Sequence, residues 1–218
     1  MLEGMQAEET PAQIPAEKRG LLIVVSGASG VGKNTLCARL MQRIPMHFSV
    51  SWTTREKRPS EVDGQDYHFR TRDEFLAELE QGQGFLEHAE FVGNMYGTPR
   101  APLERALDSG EHVLLDIEIE GAMQVAELAP EAVLIFIMPP SLTELRSRLL
   151  GRATESPDKI EKRLQRARRD IRLAQRFHYI VMNDNIDVAV SDLEAIVRTE
   201  LLRAHRVSER ELAHIVDS

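Results

Sequence analysis

Residues 26–36 read "SGASGVGKNTL", follow the apolar run "LLIVV", and match G-x-x-x-x-G-K with Asn34 where Ser or Thr completes the pattern. Gly27, Gly30 and Gly32, with Ala28, Ser29 and Val31 between them, let successive backbone N–H groups turn inward around an anion. The segment that follows, "NTLCARLMQRI", is helix-like and presents its N-terminus to the same point. Lys33 adds a mobile cation suited to the β- and γ-phosphates of a nucleoside triphosphate. A Gly-rich strand-to-helix turn beside a surface lysine is the plainer alternative, and the position between an apolar run and a helix favours the phosphate site. Asn34 brings no hydroxyl, so Mg²⁺ here would depend mainly on phosphates and water, with Thr35 one residue late. Asp116, closing "HVLLD", is either the carboxylate for a water-mediated metal contact or a polar cap on a buried strand.

A second set of groups lies in "SVSWTTREKRPSEVDGQDYHF". Arg55, Arg58 and Tyr67 offer two guanidinium forks and a phenol, a clamp for a phosphate dianion, although a solvated basic loop fits as well. Glu87, Tyr96 and Thr98 follow in the turn-rich "FLEHAEFVGNMYGTP". Residues 146–176 hold 11 Lys or Arg against four Asp or Glu, and the break "GRATESPD" precedes a long helical segment there. None of the seven histidines sits in a suggestive cluster.

The elements that carry these groups show in the hydropathy pattern. Apolar runs at 21–25, 113–115, 132–138 and 179–182 alternate with amphipathic segments, which predicts an α/β fold with a parallel sheet flanked by helices. Residues 49–98 break that rhythm and predict a small inserted lobe, with a hairpin signal at 62–65, a second turn at Gly93-Asn94 and a short helix over 73–81. The expected organisation is a tail at 1–18, a nucleotide-binding core of 19–48, 99–145 and 178–210, the lobe at 49–98, a lid at 146–177 and an end segment at 211–218. A helical stretch over 191–214, with Ser208 and Glu211 at capping-box spacing, could pack on its own domain or on a second subunit, so a homo-oligomer stays open.

With 218 residues, 42% of them hydrophobic, the chain can bury a full core. Its net charge of −8 argues against nucleic acid or a membrane surface as a partner through bulk electrostatics, so any anion site must be a local cluster. Cys37 is the one cysteine, which excludes an internal disulfide and fits a reducing compartment. No apolar run approaches the roughly 18 residues of a membrane helix, and the expected localisation is cytoplasmic.

Together with "LDIEIEGA" and "RLLGRATESPDKIEKRL", these segments resemble guanylate kinases in type and order, from about residue 20 to about residue 203. The resemblance implies transfer of the γ-phosphoryl group of ATP to GMP, giving ADP and GDP in purine nucleotide metabolism, with deoxyguanosine monophosphate as a second acceptor. It implies that residues 27–35 bind ATP, that Arg148, Arg152 and Arg163 reach its phosphates from the lid, and that Asn183 borders the adenine. Arg55, Arg58, Tyr67 and Tyr96 would hold the GMP phosphate, with Ser51, Glu87 and Thr98 at the guanine. Lys33, Arg55, Arg152 and Arg163 form the expected catalytic set. A carboxylate accepts hydrogen bonds from guanine N1–H and its 2-amino group, whereas adenine presents a bare acceptor at N1.

Two positions depart from the family pattern, whose strand end reads Asp-Ile-Asp with a Gln two residues on. Here Glu118 is one methylene longer at the expected guanine contact, and Glu120 adds a negative charge. A kinase of another phosphorylated acceptor, such as a sugar bisphosphate, is one alternative. A phosphopeptide-binding module of the same fold is another, against which the intact Gly32-Lys33 speaks. A GTPase is disfavoured because no N-K-x-D segment is present.

Overall fold

The computed structural model describes residues 19–82, 84–91, 93–151 and 157–218. In chain order the elements are β1 (Leu22–Gly27), α1 (Lys33–Arg43), β2 (His47–Phe48), β3 (Trp52–Thr53), β4 (His68–Phe69), α2 (Arg72–Glu80), β5 (Phe85–Phe91) and β6 (Asn94–Pro99). There follow α3 (Arg100–Asp108), β7 (Val113–Asp116), α4 (Ile119–Leu128), β8 (Val133–Met138), α5 (Leu142–Leu150), α6 (Pro157–Arg172), β9 (Tyr179–Met182), α7 (Ile186–Leu201) and α8 (Glu209–Val216). Each of the four apolar runs becomes a strand, and the fold is α/β as expected.

Those strands form a parallel sheet in the order β2-β7-β1-β8-β9. The central strand β1 is buried along its whole length, because alternate side chains enter different cores. Leu22 and Val24 pack with Leu103, Leu107 and Val125 of α3 and α4. Ile23 and Val25 pack on the other face with Leu36, Leu40, Leu193 and Val197 of α1 and α7. The chain leaves β1 with β7 on one side and β8 on the other, so the glycine loop opens at a topological switch point, where such sheets bind ligands. The two-residue edge strand β2 carries no period of its own, and sequence reading did not anticipate it.

A second, four-stranded sheet has the order β4-β3-β6-β5 and a small apolar cluster of Phe75, Phe85 and Met95, with Trp52 and Leu79 against it. The turn at Gly93-Asn94 joins the antiparallel β5 and β6, and Gly93 takes φ 76 there. The expected hairpin at 62–65 is corrected. Gly64 does turn, at φ 79, but the flanking strands β3 and β4 run parallel, with Trp52 opposite His68. The loop satisfies its backbone with side chains instead of a ladder: Asp66 accepts from the Val62 N–H at 2.7 Å and Asp63 from the Phe69 N–H at 2.8 Å. The expected helix over 73–81 is α2, closed at its start by a Thr71-Glu74 capping box.

Helices α5 and α6 pack through Leu145, Leu149, Ile160, Leu164 and Ala167 onto fully buried Ala28 of the glycine loop. The C-terminal stretch is two helices and not one: α7 starts at Ile186, capped by Asn185, and a 3₁₀ turn at Ala204–Arg206 separates it from α8. The Ser208-Glu211 capping box opens α8 as the spacing predicts. Among the described residues no helix is long and apolar enough to cross a membrane. The expected tail at 1–18 lies outside the described residues.

Candidate active site

The glycine loop takes the backbone that only glycine holds cheaply. Gly30 has φ 89 and Gly32, the residue capping α1, has φ 102, so the chain makes a left-handed turn between β1 and α1 along the wall of a cavity. A Cβ on Gly32 would also lie 2.7 Å from Asn183 Nδ2. That nitrogen donates to the Val31 carbonyl at 2.8 Å, and Asn183 is buried beneath the loop. Asn183 therefore pins the loop backbone, a role its expected place beside a base did not include. Arg148 pairs with Glu144 at 3.1 Å and reaches toward the same carbonyl at 3.5 Å, so it rests on the loop's outer side.

Lys33 Nζ donates to the Gly27 carbonyl at 3.1 Å and stands 3.9 Å from Asp116 Oδ1, at the end of β7. Burial pushes the Asp116 carboxyl up to about 6, with the Lys33 ammonium opposing the shift and Glu118 adding to it. Asn34 and Thr35 line the same cavity, whose volume is about 490 Å³. The Cys37 thiol is buried in the core that α1 shares with the sheet, and that burial raises its pKa above the ordinary range.

Across the cavity, β5 and β6 set Glu87 opposite Thr98. Thr98 Oγ1 donates to Glu87 Oε1 at 2.6 Å, and both residues are buried. Burial raises the Glu87 pKa and the Thr98 hydroxyl and amide pull it back. Gly121, in the first turn of α4, allows this approach, because a Cβ there would overlap Glu87 Oε2. The Glu87 carboxylate is thus a buried acceptor with one oxygen engaged by Thr98.

Ser51, Arg58, Tyr67 and Tyr96 belong both to this cavity and to an adjoining one of about 290 Å³, which Arg55 enters. Tyr67 and Tyr96 meet edge to face at 5.9 Å, and the Arg55 guanidinium lies 5.6 Å from the Tyr67 ring centroid. Burial pushes the Tyr67 phenol up to about 12, so it is a donor at neutral pH. Glu61, which sequence reading missed, organises the group. Arg55 donates to it through Nη1 at 3.0 Å and Nη2 at 2.8 Å, a bidentate pair, and Arg58 stands 3.7 Å away with its side chain 70% exposed.

Helix α6 closes the third side with Arg163 and Arg166. Arg166, also missed, approaches Glu118 at 3.0 Å and Glu120 at 3.5 Å. Its neighbour Asp170 is buried, and that burial raises its pKa to about 6. The spacing of Arg166 from Arg163, three residues on one helix face, was the available signal. Gly27 and Ala28 form the loop's root, and Thr98 stands behind Glu87. Arg152 lies outside the described residues.

One cavity therefore joins backbone donors and a lysine on one side to a buried carboxylate and a cluster of cations and phenols on the other. Two anionic groups can be held there facing each other.

The guanylate kinase family model matches residues 19–200. The chain is 58% identical over 194 residues to a guanylate kinase of Deinococcus radiodurans, covering 88% of this chain and 81% of that one. It is 54% identical over 191 residues to a guanylate kinase of Thermus thermophilus, covering 88% and 86%. The crystal structure of guanylate kinase from Anaplasma phagocytophilum superimposes with a TM-score of 0.74 at 35% identity, over 90% of this chain and 94% of that one. This chain belongs to the guanylate kinase family.

Proposed function

We propose that the chain performs its family's reaction in this cavity, with ATP on the glycine loop and GMP against the four-stranded sheet. The protein is an ATP-dependent nucleoside monophosphate kinase that phosphorylates GMP. The observation that carries the site assignment is the pairing, in one cavity, of Lys33 with the buried Glu87 carboxylate.

Glu87, oriented by Thr98, accepts from guanine N1–H and the 2-amino group, with Ser51 and Glu118 beside it. Arg55, preset by Glu61, takes the GMP phosphate with Arg58, Tyr67 and Tyr96. The GMP phosphate oxygen is ionised near neutral pH, so the transfer needs no general base. The chain's work is alignment and charge neutralisation: Lys33 and Arg163 hold the transferring phosphoryl group, and Arg55 and Arg58 aim the attacking oxygen. Arg152 belongs to the same proposed set by resemblance. Packing of α6 over the loop and of the four-stranded sheet over the acceptor keeps water from the phosphoryl group.

The family's reaction requires a divalent metal, and Mg²⁺ is the ion proposed here. Asp116 beside Lys33 supplies one carboxylate, Thr35 and Asn34 line the wall, and among the described residues no group of three acidic, His or Cys side chains could hold a metal. That donor set fits an ion held mainly by nucleotide phosphates and water, with Asp116 and Thr35 as its protein contacts. When bound, the metal supplies charge stabilisation to the phosphate oxygens.

The test is nucleoside diphosphate formation from ATP, with GMP, AMP, CMP and UMP offered separately and deoxyguanosine monophosphate as a fifth acceptor. Turnover is expected with the guanine nucleotides. Turnover with a pyrimidine or adenine nucleotide in preference to GMP would overturn the assignment of Glu87.

A further inference from the structure

The guanidinium of Arg166 crosses from α6 to the turn after β7. Its Nη2 donates to Glu118 Oε2 at 3.0 Å and lies 3.5 Å from Glu120 Oε2, while Nε stands 3.9 Å from Asp170 Oδ2 on its own helix. The Arg166 side chain is 19% exposed, against 47% for Glu118 and 65% for Glu120, so the two carboxylates come inward to a largely covered cation. Glu118 stands at the N-cap of α4 but makes no side-chain cap there; its carboxylate turns to Arg166 instead.

This arrangement answers two costs written into the sequence. Glu118 has a long side chain whose rotamer freedom must be given up before it can contact a base, and a charge-assisted bond from Arg166 fixes it in advance. Glu120 places a second negative charge at the rim of a cavity that holds two phosphorylated nucleotides, and the same nitrogen offsets it. Among the described residues, the hydrogen bond that Arg166 gives Glu118 goes to Oε2, and Oε1 can take a ligand N–H.

We propose that Arg166 is a positioning residue for the acceptor base: it fixes Glu118 through one carboxylate oxygen, leaves the other for guanine donors, and neutralises Glu120. Acceptor binding is thereby tied to the seating of α6, which also presents Arg163 to the cavity. The inference rests on the acceptor reading given above.

The experiment is steady-state kinetics on the full chain, with GMP and ATP varied in turn, for wild type, Arg166→Ala, and Arg166→Ala combined with Glu120→Gln. Arg166→Ala should raise KM for GMP about five- to tenfold, with kcat within about twofold and KM for ATP unchanged, an effect scaled to a partly exposed charge pair. Adding Glu120→Gln should recover a large part of that loss, because it removes the charge left without its partner. Arg166→Lys, which keeps the positive charge and most of the reach, should fall between wild type and Arg166→Ala and carries the test if Arg166→Ala melts early. A lowered kcat with unchanged KM for GMP would make Arg166 a phosphoryl contact and overturn the proposal. Unchanged KM in the variants, or no recovery on adding Glu120→Gln, would overturn it too. Failure of the acceptor reading is distinct, since it shows in the wild type alone as absence of GDP.

Discussion

The five-stranded and the four-stranded sheets build their sides of the proposed site in opposite ways. On the first, the anion site is backbone, turned by Gly30 and Gly32 and seated on a strand buried along its whole length. On the second, β3 and β4 are two residues each, the apolar cluster rests on Phe75, Phe85 and Met95, and the site consists of side chains. Glu87 is set by Thr98 and Arg55 by Glu61. A backbone site has affinity for any phosphate and is indifferent to the base attached. A side-chain site gains or loses its ligand by single atoms, so the proposed function gives discrimination to the second sheet and charge stabilisation to the first.

The sharpest way to separate the two is Lys33→Ala. It should lower kcat by about 10³-fold, the scale of losing a charge on the developing transition state. GMP binding, measured by calorimetry without ATP, should stay within a few fold of wild type. Next in size, Gly121→Ala places a methyl where the Glu87 carboxylate lies. A displaced carboxylate should cost about 30- to 100-fold in kcat/KM for GMP, with KM for ATP unchanged, because small misplacements of a positioning group have large effects. Arg58→Ala, on an exposed arm of the phosphate cluster, should raise KM for GMP about tenfold.

The smallest effect concerns stability. Burial raises the Asp116 pKa from 3.8 to about 6, so the folded state binds its proton more tightly than the unfolded chain does. The fold therefore bears no penalty below about pH 4, a growing one as pH rises toward 6, and a constant one above, at most about 3 kcal/mol. Asp116→Asn removes it and also removes the Lys33 partner, so the net gain at pH 8 should be about 1 kcal/mol, a few degrees in thermal midpoint. The gain should shrink at pH 5, and a gain independent of pH would contradict the assignment.

The same contrast explains what the sequence disclosed. The glycine loop is contiguous, and its shape follows from residues 27–35 because one short segment supplies the strand end, the turn and the helix start. The parallel strands were legible because residues buried on both faces need no partner to declare themselves. In the second sheet the signals misled: the Asp-rich loop at 63–66 has hairpin composition but spends its carboxylates on its own backbone, so β3 and β4 come together in parallel. Glu61 and Arg166 escaped because their meaning lies in partners, Arg55 in one case and Glu118 across 48 residues in the other. Asn183 was expected beside a base, and its amide nitrogen is engaged by the Val31 carbonyl.

The central claim is that Glu87, held by Thr98 behind an approach that Gly121 keeps open, reads the acceptor base. The most direct test is kcat/KM for GMP and for AMP in wild type and Glu87→Gln, with ATP saturating. The account predicts strong preference for GMP in wild type and a loss of about 10²-fold or more for GMP in the variant, with AMP turnover little changed, as for a buried acceptor whose donors lose their partner. GMP turnover in Glu87→Gln equal to wild type would contradict it.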